Sequence, residues 1–94
     1  MIRSFKSRET ERVFKRLGSR RLPPEVARAA LRKLLLVDAA VALDDLKEPP
    51  GNRLEKLTGD RAGQFSIRVN DQWRVCFSWV DGEARDVEIV DYHS

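Results

Sequence analysis

Apolar residues in the first part of the chain recur every three to four positions, the spacing of one face of a helix. Ser7 suits the N-cap of a first helix that ends at Gly18. Pro23 and Pro24 suit the start of a second helix that runs towards Ala40. Because the connection between them is short, the pattern predicts two antiparallel helices.

The pattern predicts strands at the start of the chain and over its C-terminal third. Ile2–Phe5 forms a short apolar segment, and from Gln64 onward apolar and polar residues alternate, which is typical of half-buried strands. Turn sequences at Asn70–Gln72 and Asp81–Gly82 separate three such strands. Their apolar residues are Phe65, Ile67, Val69, Trp73, Val75, Phe77, Trp79, Val87 and Ile89.

These elements predict an α+β fold in one domain that covers residues 1–94. The N-terminal strand and the helix pair would pack on a twisted antiparallel sheet. We expect the aromatic residues of the strands to lie in the core rather than to stack on bases.

The apolar positions also predict how the strands pair, since a shift of one residue would expose every apolar side chain. Pairing Ile67 with Val75 places Arg68 opposite Arg74 on the other face of the sheet. Like charges in such a pair destabilise the sheet unless an anion or an acid lies between them. A bound phosphate would remove that penalty.

The same argument extends to the last strand. Pairing Val75 with Ile89, and Phe77 with Val87, places Arg74 opposite Val90. Tyr92 then lies on the same face as Arg74. The predicted cluster consists of Arg68, Arg74, Tyr92 and His93. The alternative is that Glu88 neutralises one arginine and that the last residues form an exposed tail.

Charge is distributed unevenly along the chain. The formal net charge is only +3, but residues 1–33 contain eleven Arg or Lys against three Glu, whereas residues 34–94 contain seven against twelve acids. Thirteen of the eighteen basic residues are arginine, whose planar guanidinium matches phosphate well. The basic third of the chain is either an RNA-binding surface or an ordinary solvated helical surface.

Other classes of protein fit the sequence poorly. No apolar run is long enough to cross a bilayer, and Cys76 as the only cysteine excludes an intrachain disulfide and a cysteine-based metal cluster. We therefore expect a cytoplasmic protein without membrane association. We also expect no metal or cofactor.

Two segments resemble a known family. RLEKLTGDRAGQFSIRVNDQWRVCFSW (residues 53–79) and DVEIVDYHS (residues 86–94) closely resemble the HigB branch of the RelE-like toxins. MIRSF at the start and LPPEVARAALRKL (residues 22–34) are similar as well. The resemblance covers essentially the whole chain and implies the RelE-like fold. W-R-V combined with D-Y-H is far more specific than any single motif.

The resemblance implies a type II toxin that acts as a ribosome-dependent endoribonuclease and cleaves mRNA in the decoding site without a metal ion. It also implies a cognate helix-turn-helix antitoxin, through which the toxin would contact operator DNA. Arg74 in W-R-V matches the phosphate-binding arginine of the family. Asp91, Tyr92 and His93 match its functional C-terminal triplet.

Cleavage requires the 2′-hydroxyl to lose a proton while negative charge builds on the phosphate. We expect Arg74, and after it Arg68, to stabilise that charge, and His93 to accept the proton. Tyr92 either stacks on the reacting base or assists proton transfer. Asp91 either orients His93 or pairs with an arginine.

One segment departs from the family pattern. In some HigB toxins the stretch that corresponds to residues 54–59 begins with a Leu-His pair and has a lysine before the glycine, whereas here Glu55 and Thr58 occupy those places. Glu55 is either a substitute proton acceptor or a solvated acid. Lys56 and Arg53 either contact RNA phosphates or are ordinary surface charges.

Two other functions are compatible with the sequence. One is a binding module that occupies RNA or the ribosome without cleaving. The other is a co-repressor that acts mainly with its antitoxin on operator DNA.

Overall fold

A computed structural model describes residues 1–92 and shows two α-helices followed by a four-stranded antiparallel sheet. The helices are α1 (Arg8–Phe14) and α2 (Pro24–Ala39), and the strands are β1 (Glu55–Lys56), β2 (Gln64–Arg68), β3 (Trp73–Val80) and β4 (Glu83–Asp91). Short 3₁₀ helices span Leu43–Lys47, Pro50–Asn52 and Gly59–Arg61. The predicted α+β fold is confirmed.

Helix α1 begins at its predicted cap but ends early. The Ser7 side chain accepts a hydrogen bond from the Thr10 N–H at 3.1 Å, which satisfies one of the donors at the helix start. The prediction that the helix extends to Gly18 was wrong, because Arg16 adopts a left-handed conformation with φ of 63°. The last helical residue is Phe14.

Helix α2 begins where the prolines predicted, with Pro24 at a position where no N–H is needed. It buries one side against the sheet, and its buried residues follow helical spacing. These residues are Val26, Ala30, Leu34 and Val37. Neither helix among residues 1–92 has the length and apolarity needed to cross a membrane.

The strands pair in the order β1-β2-β3-β4. Between β2 and β3 the predicted register is confirmed, since Ile67 pairs with Val75 and Arg68 with Arg74. The side chains of Ile67 and Val75 face the helices and are fully buried. Arg68 and Arg74 therefore project from the opposite side of the sheet, which we call the outer face.

The pairing of β3 with β4 is confirmed near the chain terminus and wrong further away. Arg74 pairs with Val90 as predicted. Phe77 does not pair directly with Val87, because a bulge interrupts the ladder beyond Cys76 and gives β4 one extra residue. Asp86, at the bulge, has a positive φ of 53°. The bulge lies away from the Arg74 end and leaves the register there intact.

The structure differs from the prediction at the N-terminal segment and at β1. Ile2 and Phe5 form isolated parallel bridges with Ala84 and Val87, so the expected strand is reduced to two contacts along the edge of β4. The short strand β1 was not predicted. It pairs with β2 and extends the outer face by one strand.

Replacing Leu34 with alanine is expected to lower the free energy of unfolding by about 2–5 kcal/mol, because it leaves a cavity in the core. Leu34 is 0% exposed and Leu35, the matched control, is 38% exposed. Leu35→Ala removes the same atoms and should cost clearly less. Urea unfolding followed by tryptophan fluorescence measures both values, and equal losses would contradict the orientation of α2.

Candidate active site

Arg74 is a buried cation held by neutral acceptors on the outer face. It is 7% exposed. Its Nε donates to Ser66 Oγ at 2.7 Å, and its Nη2 donates to the main-chain oxygens of Arg53 at 2.6 Å and Ser66 at 3.3 Å. These bonds fix two sides of the planar guanidinium. The Nη1 side faces a different kind of partner.

That partner is Glu55, whose Oε1 lies 3.4 Å from Arg74 Nη1. The pairing of β1 with β2 places Glu55 opposite Ser66, which brings the carboxylate to the guanidinium. The Glu55 side chain is 53% exposed. Solvent therefore reaches the carboxylate of this ion pair much more than the guanidinium.

Tyr92 lies next to Arg74, as the strand register predicted. The Arg74 guanidinium carbon is 5.7 Å from the centroid of the Tyr92 ring, within the range of a cation–π contact. The Tyr92 N–H donates to the Gln72 oxygen at 2.6 Å, which continues the β3–β4 pairing by one residue. Tyr92 remains 43% exposed. The site thus presents a cation and an accessible aromatic ring together.

Asp91 lies on the helix-facing side of the sheet, whereas Arg74 lies on the outer face. Its Oδ2 accepts a hydrogen bond from Gln72 Nε2 at 3.1 Å. Asp91 lines a cavity of about 450 Å³ between β4 and the start of α1, together with Trp73. His93, the remaining member of the predicted triplet, lies outside the described residues.

Arg68 stands opposite Arg74 but forms an ion pair with Asp71. Each of the two facing arginines thus has an acid of its own. The alternative in which Glu88 neutralises one of them is wrong, since Glu88 Oε1 pairs with Arg61 at 3.2 Å. The predicted repulsion is relieved by side chains of the chain itself.

Lys33 adds positive charge near Arg68. Its Nζ donates to Asn52 Oδ1 at 2.6 Å. Burial lowers the pKa of Lys33, and the nearby charges of Arg32 and Arg68 lower it further. The sequence pattern does not connect this helical lysine with the sheet. Lys33 and Arg68 thus lie close enough for their positive charges to influence each other.

The other two predicted contact residues are placed differently from each other. Arg53 adopts a left-handed conformation with φ of 45° and reaches Arg74 through its main-chain oxygen. Lys56 is exposed on β1, where it pairs with Phe65. Because neighbouring side chains on a strand point to opposite sides, Lys56 points away from the side that carries Glu55.

Two further residues of the outer face were not predicted to be part of the site. Ser66 is fully buried beneath Arg74. Its signal in the sequence is a polar residue two positions before Arg68, on the same face of the strand. Cys76 is also fully buried, and burial raises the pKa of its thiol. The thiol therefore stays protonated at neutral pH and is a poor nucleophile.

The described residues offer no constellation suited to a metal ion. Among residues 1–92 no group of three or more His, Cys, Asp or Glu side chains is arranged to hold one. What these residues bring together is a fixed guanidinium, a carboxylate at its accessible side and an aromatic ring. Such a set suits the binding of a phosphate next to a base.

Comparison with known proteins identifies the family. The family described as RelE-like toxin of type II toxin-antitoxin system HigB matches residues 3–93. Toxin HigB-1 of Vibrio cholerae serotype O1 is 46% identical over 85 residues, which cover 89% of this chain and 90% of that protein. Endoribonuclease HigB of Proteus vulgaris is 30% identical over 93 residues, which cover 99% and 100%.

Solved structures agree on the fold. The YoeB-YefM complex from Staphylococcus aureus has a chain with a TM-score of 0.62 at 17% identity, covering 100% of this chain and 99% of that one. A YafQ mutant from E. coli also has a TM-score of 0.62, at 12% identity, covering 98% and 94%. The chain therefore belongs to the HigB family of RelE-like toxins of type II toxin–antitoxin systems.

Proposed function

We propose that this toxin is an endoribonuclease that cleaves mRNA in the decoding site of the ribosome, with Arg74 binding the scissile phosphate. The observation that carries the proposal is the Arg74 guanidinium, which is held from behind by neutral acceptors and lies beside an exposed Tyr92 ring. The relative named Endoribonuclease HigB supports the same reaction class.

The proposed reaction is a phosphoryl transfer within the RNA that uses no metal ion. The ribose 2′-oxygen gives its proton to a base and forms a bond to the adjacent phosphorus, while the bond from phosphorus to the 5′-oxygen of the next nucleotide breaks and that oxygen takes a proton from water. The products carry a 2′,3′-cyclic phosphate and a 5′-hydroxyl. Negative charge grows on the phosphate oxygens in between, and a fixed guanidinium stabilises it.

Arg74 can receive a phosphate on its Nη1 side. Among residues 1–92 the ion-pair partner of Nη1 is the half-exposed Glu55 carboxylate, at 3.4 Å, and ion pairs open to solvent contribute roughly 0–1 kcal/mol. A phosphate can replace that carboxylate at little cost and gains charge-assisted hydrogen bonds. Glu55 therefore marks the place where the scissile phosphate binds. Arg68 and Lys33 supply positive charge for a neighbouring phosphate.

The C-terminal triplet supplies the remaining roles. His93 is the proposed base, since imidazole is the side chain best suited to exchange protons near neutral pH. Tyr92 would stack on the base next to the scissile phosphate, because its ring is exposed beside Arg74. Asp91 would orient His93 rather than pair with Arg74, because Asp91 lies on the opposite side of the sheet from Arg74.

The proposal assigns a large share of the rate acceleration to the ribosome. Orientation of a reacting group can supply about 7–11 kcal/mol, and a messenger held in the decoding site is constrained in this way. The excess of eleven basic residues over three acids in residues 1–33 favours contact with ribosomal RNA. Free RNA should then be a poor substrate, and the site of action is the cytoplasm.

As a type II toxin the protein has an antitoxin partner, and one of its structural neighbours was solved as the YoeB-YefM complex. We propose a helix-turn-helix antitoxin and, through it, binding of operator DNA. The toxin would keep this second role even without cleavage.

Arg74→Ala is expected to lower the cleavage rate on mRNA-programmed ribosomes by about 10²- to 10³-fold, the usual cost of losing one preorganised charge-stabilising group. Arg85→Ala is the matched control, because Arg85 lies towards the other end of β4 and pairs with Glu83. Sequencing of RNA ends that carry 2′,3′-cyclic phosphate gives the rate. Full activity of Arg74→Ala would remove Arg74 from the mechanism, and the absence of such ends with the wild type would favour a non-cleaving module.

Glu55→Gln is expected to lower KM by roughly 2- to 5-fold and to leave kcat nearly unchanged, because it removes a competing ion pair worth about 0.2–1 kcal/mol. Asp60→Asn is the control for a lost negative charge, since Asp60 is exposed in the short 3₁₀ helix Gly59–Arg61. Steady-state cleavage on programmed ribosomes separates the two constants. A drop in kcat of more than about tenfold would instead identify Glu55 as a proton acceptor.

A further inference from the structure

Of the three hydrogen bonds described above for Arg74, only the one to Ser66 Oγ is accepted by a side chain. Its hydroxyl accepts from Arg74 Nε at 2.7 Å, and its main-chain oxygen accepts from Nη2 at 3.3 Å. The remaining neutral acceptor is the main-chain oxygen of Arg53. A substitution can therefore remove the hydroxyl without altering any backbone contact.

The strand register explains how Ser66 reaches Arg74. Ser66 pairs with Cys76 on one side and with Glu55 on the other. Arg74 lies two residues before Cys76 on the same face, so Ser66 is its diagonal neighbour, within reach of a long side chain. The serine thus lies between the arginine and the acid that marks the phosphate position.

Burial gives this hydrogen bond its influence on geometry. Ser66 is 0% exposed, so water cannot readily replace its hydroxyl. A hydrogen bond from a charged donor is stronger than a neutral one, and stronger still away from water. With Nε and Nη2 both bonded, the plane of the guanidinium is fixed and Nη1 faces Glu55.

We propose that Ser66 is the positioning residue for Arg74, which fixes the guanidinium so that its Nη1 side meets the scissile phosphate. The inference rests on the proposed endoribonuclease function. Ser66 itself touches no substrate. Loss of its hydroxyl leaves the charge of Arg74 in place but allows the guanidinium to rotate away from the orientation that the reaction needs.

Ser66→Ala is expected to lower kcat by about 10- to 100-fold, the cost of misplacing a catalytic group by an ångström or so, while KM changes little. Ser66→Thr keeps the hydroxyl and is expected to recover most of the rate. Ser78→Ala, on strand β3, removes a hydroxyl from the same sheet and should leave kcat unchanged. Thermal unfolding of each variant reports on the fold.

A second measurement needs no substrate. The Nε–H signal of Arg74 in the NMR spectrum of the isotope-labelled toxin, assigned by its loss in Arg74→Lys, should exchange slowly with solvent because its proton is bonded and buried. In Ser66→Ala the exchange should become at least about tenfold faster, while Ser78→Ala should retain the slow exchange. Exchange as slow in Ser66→Ala as in the wild type would overturn the proposal.

The outcomes separate this proposal from the function on which it rests. Wild-type kcat in Ser66→Ala, with Arg74→Ala slowed as expected, overturns the positioning role and leaves the endoribonuclease function standing. Full activity of Arg74→Ala overturns both. A further test is Ser66→Ala in the Arg74→Ala background, which lacks the guanidinium and keeps a low residual rate. In that background Ser66→Ala should have no effect on kcat. If it lowers kcat as much as it does in the wild type, Ser66 acts on the fold in general.

Discussion

The site depends on the hydrogen bonding of one buried guanidinium. Arg74 is 7% exposed, and a charge so placed is tolerated only when its N–H groups have partners. The structure supplies neutral acceptors, a serine hydroxyl and main-chain oxygens, on two sides of the group. These neutral groups do not neutralise the positive charge of Arg74. The charge is directed outward, where Glu55, whose side chain is half exposed, is the acid among residues 1–92 that pairs with it.

The fold of the sheet and the facing positions of Arg68 and Arg74 follow from the alternation of apolar and polar residues. Ile67 and Val75 must both face the helices, and this requirement alone places Arg68 opposite Arg74. The same requirement, carried across the next hairpin, brings Tyr92 beside Arg74. Every second side chain of a strand lies on the same face of the sheet, and the apolar ones must be buried. The positions of the apolar residues therefore determine which polar residues share the other face.

The residues that surround Arg74 are positioned by local backbone features, which the alternation of apolar and polar residues does not predict. The Arg53 oxygen reaches the guanidinium because that residue adopts a left-handed conformation, which non-glycine residues rarely do. Glu55 arrives through a two-residue strand too short to show alternation. The bulge at Asp86 and the end of α1 before Arg16 arise in the same way, from local backbone conformations that side-chain type does not specify.

The central claim is that Arg74 exchanges a carboxylate for the scissile phosphate, and a structure of the toxin on a programmed ribosome tests it directly. The messenger would carry a 2′-O-methyl group at the cleavage site, which blocks attack and preserves the substrate. The account predicts Arg74 Nη1 at about 2.7–3.2 Å from a non-bridging oxygen of that phosphate, with Glu55 displaced. An intact pair between Glu55 and Arg74, with the phosphate bound elsewhere, would contradict it.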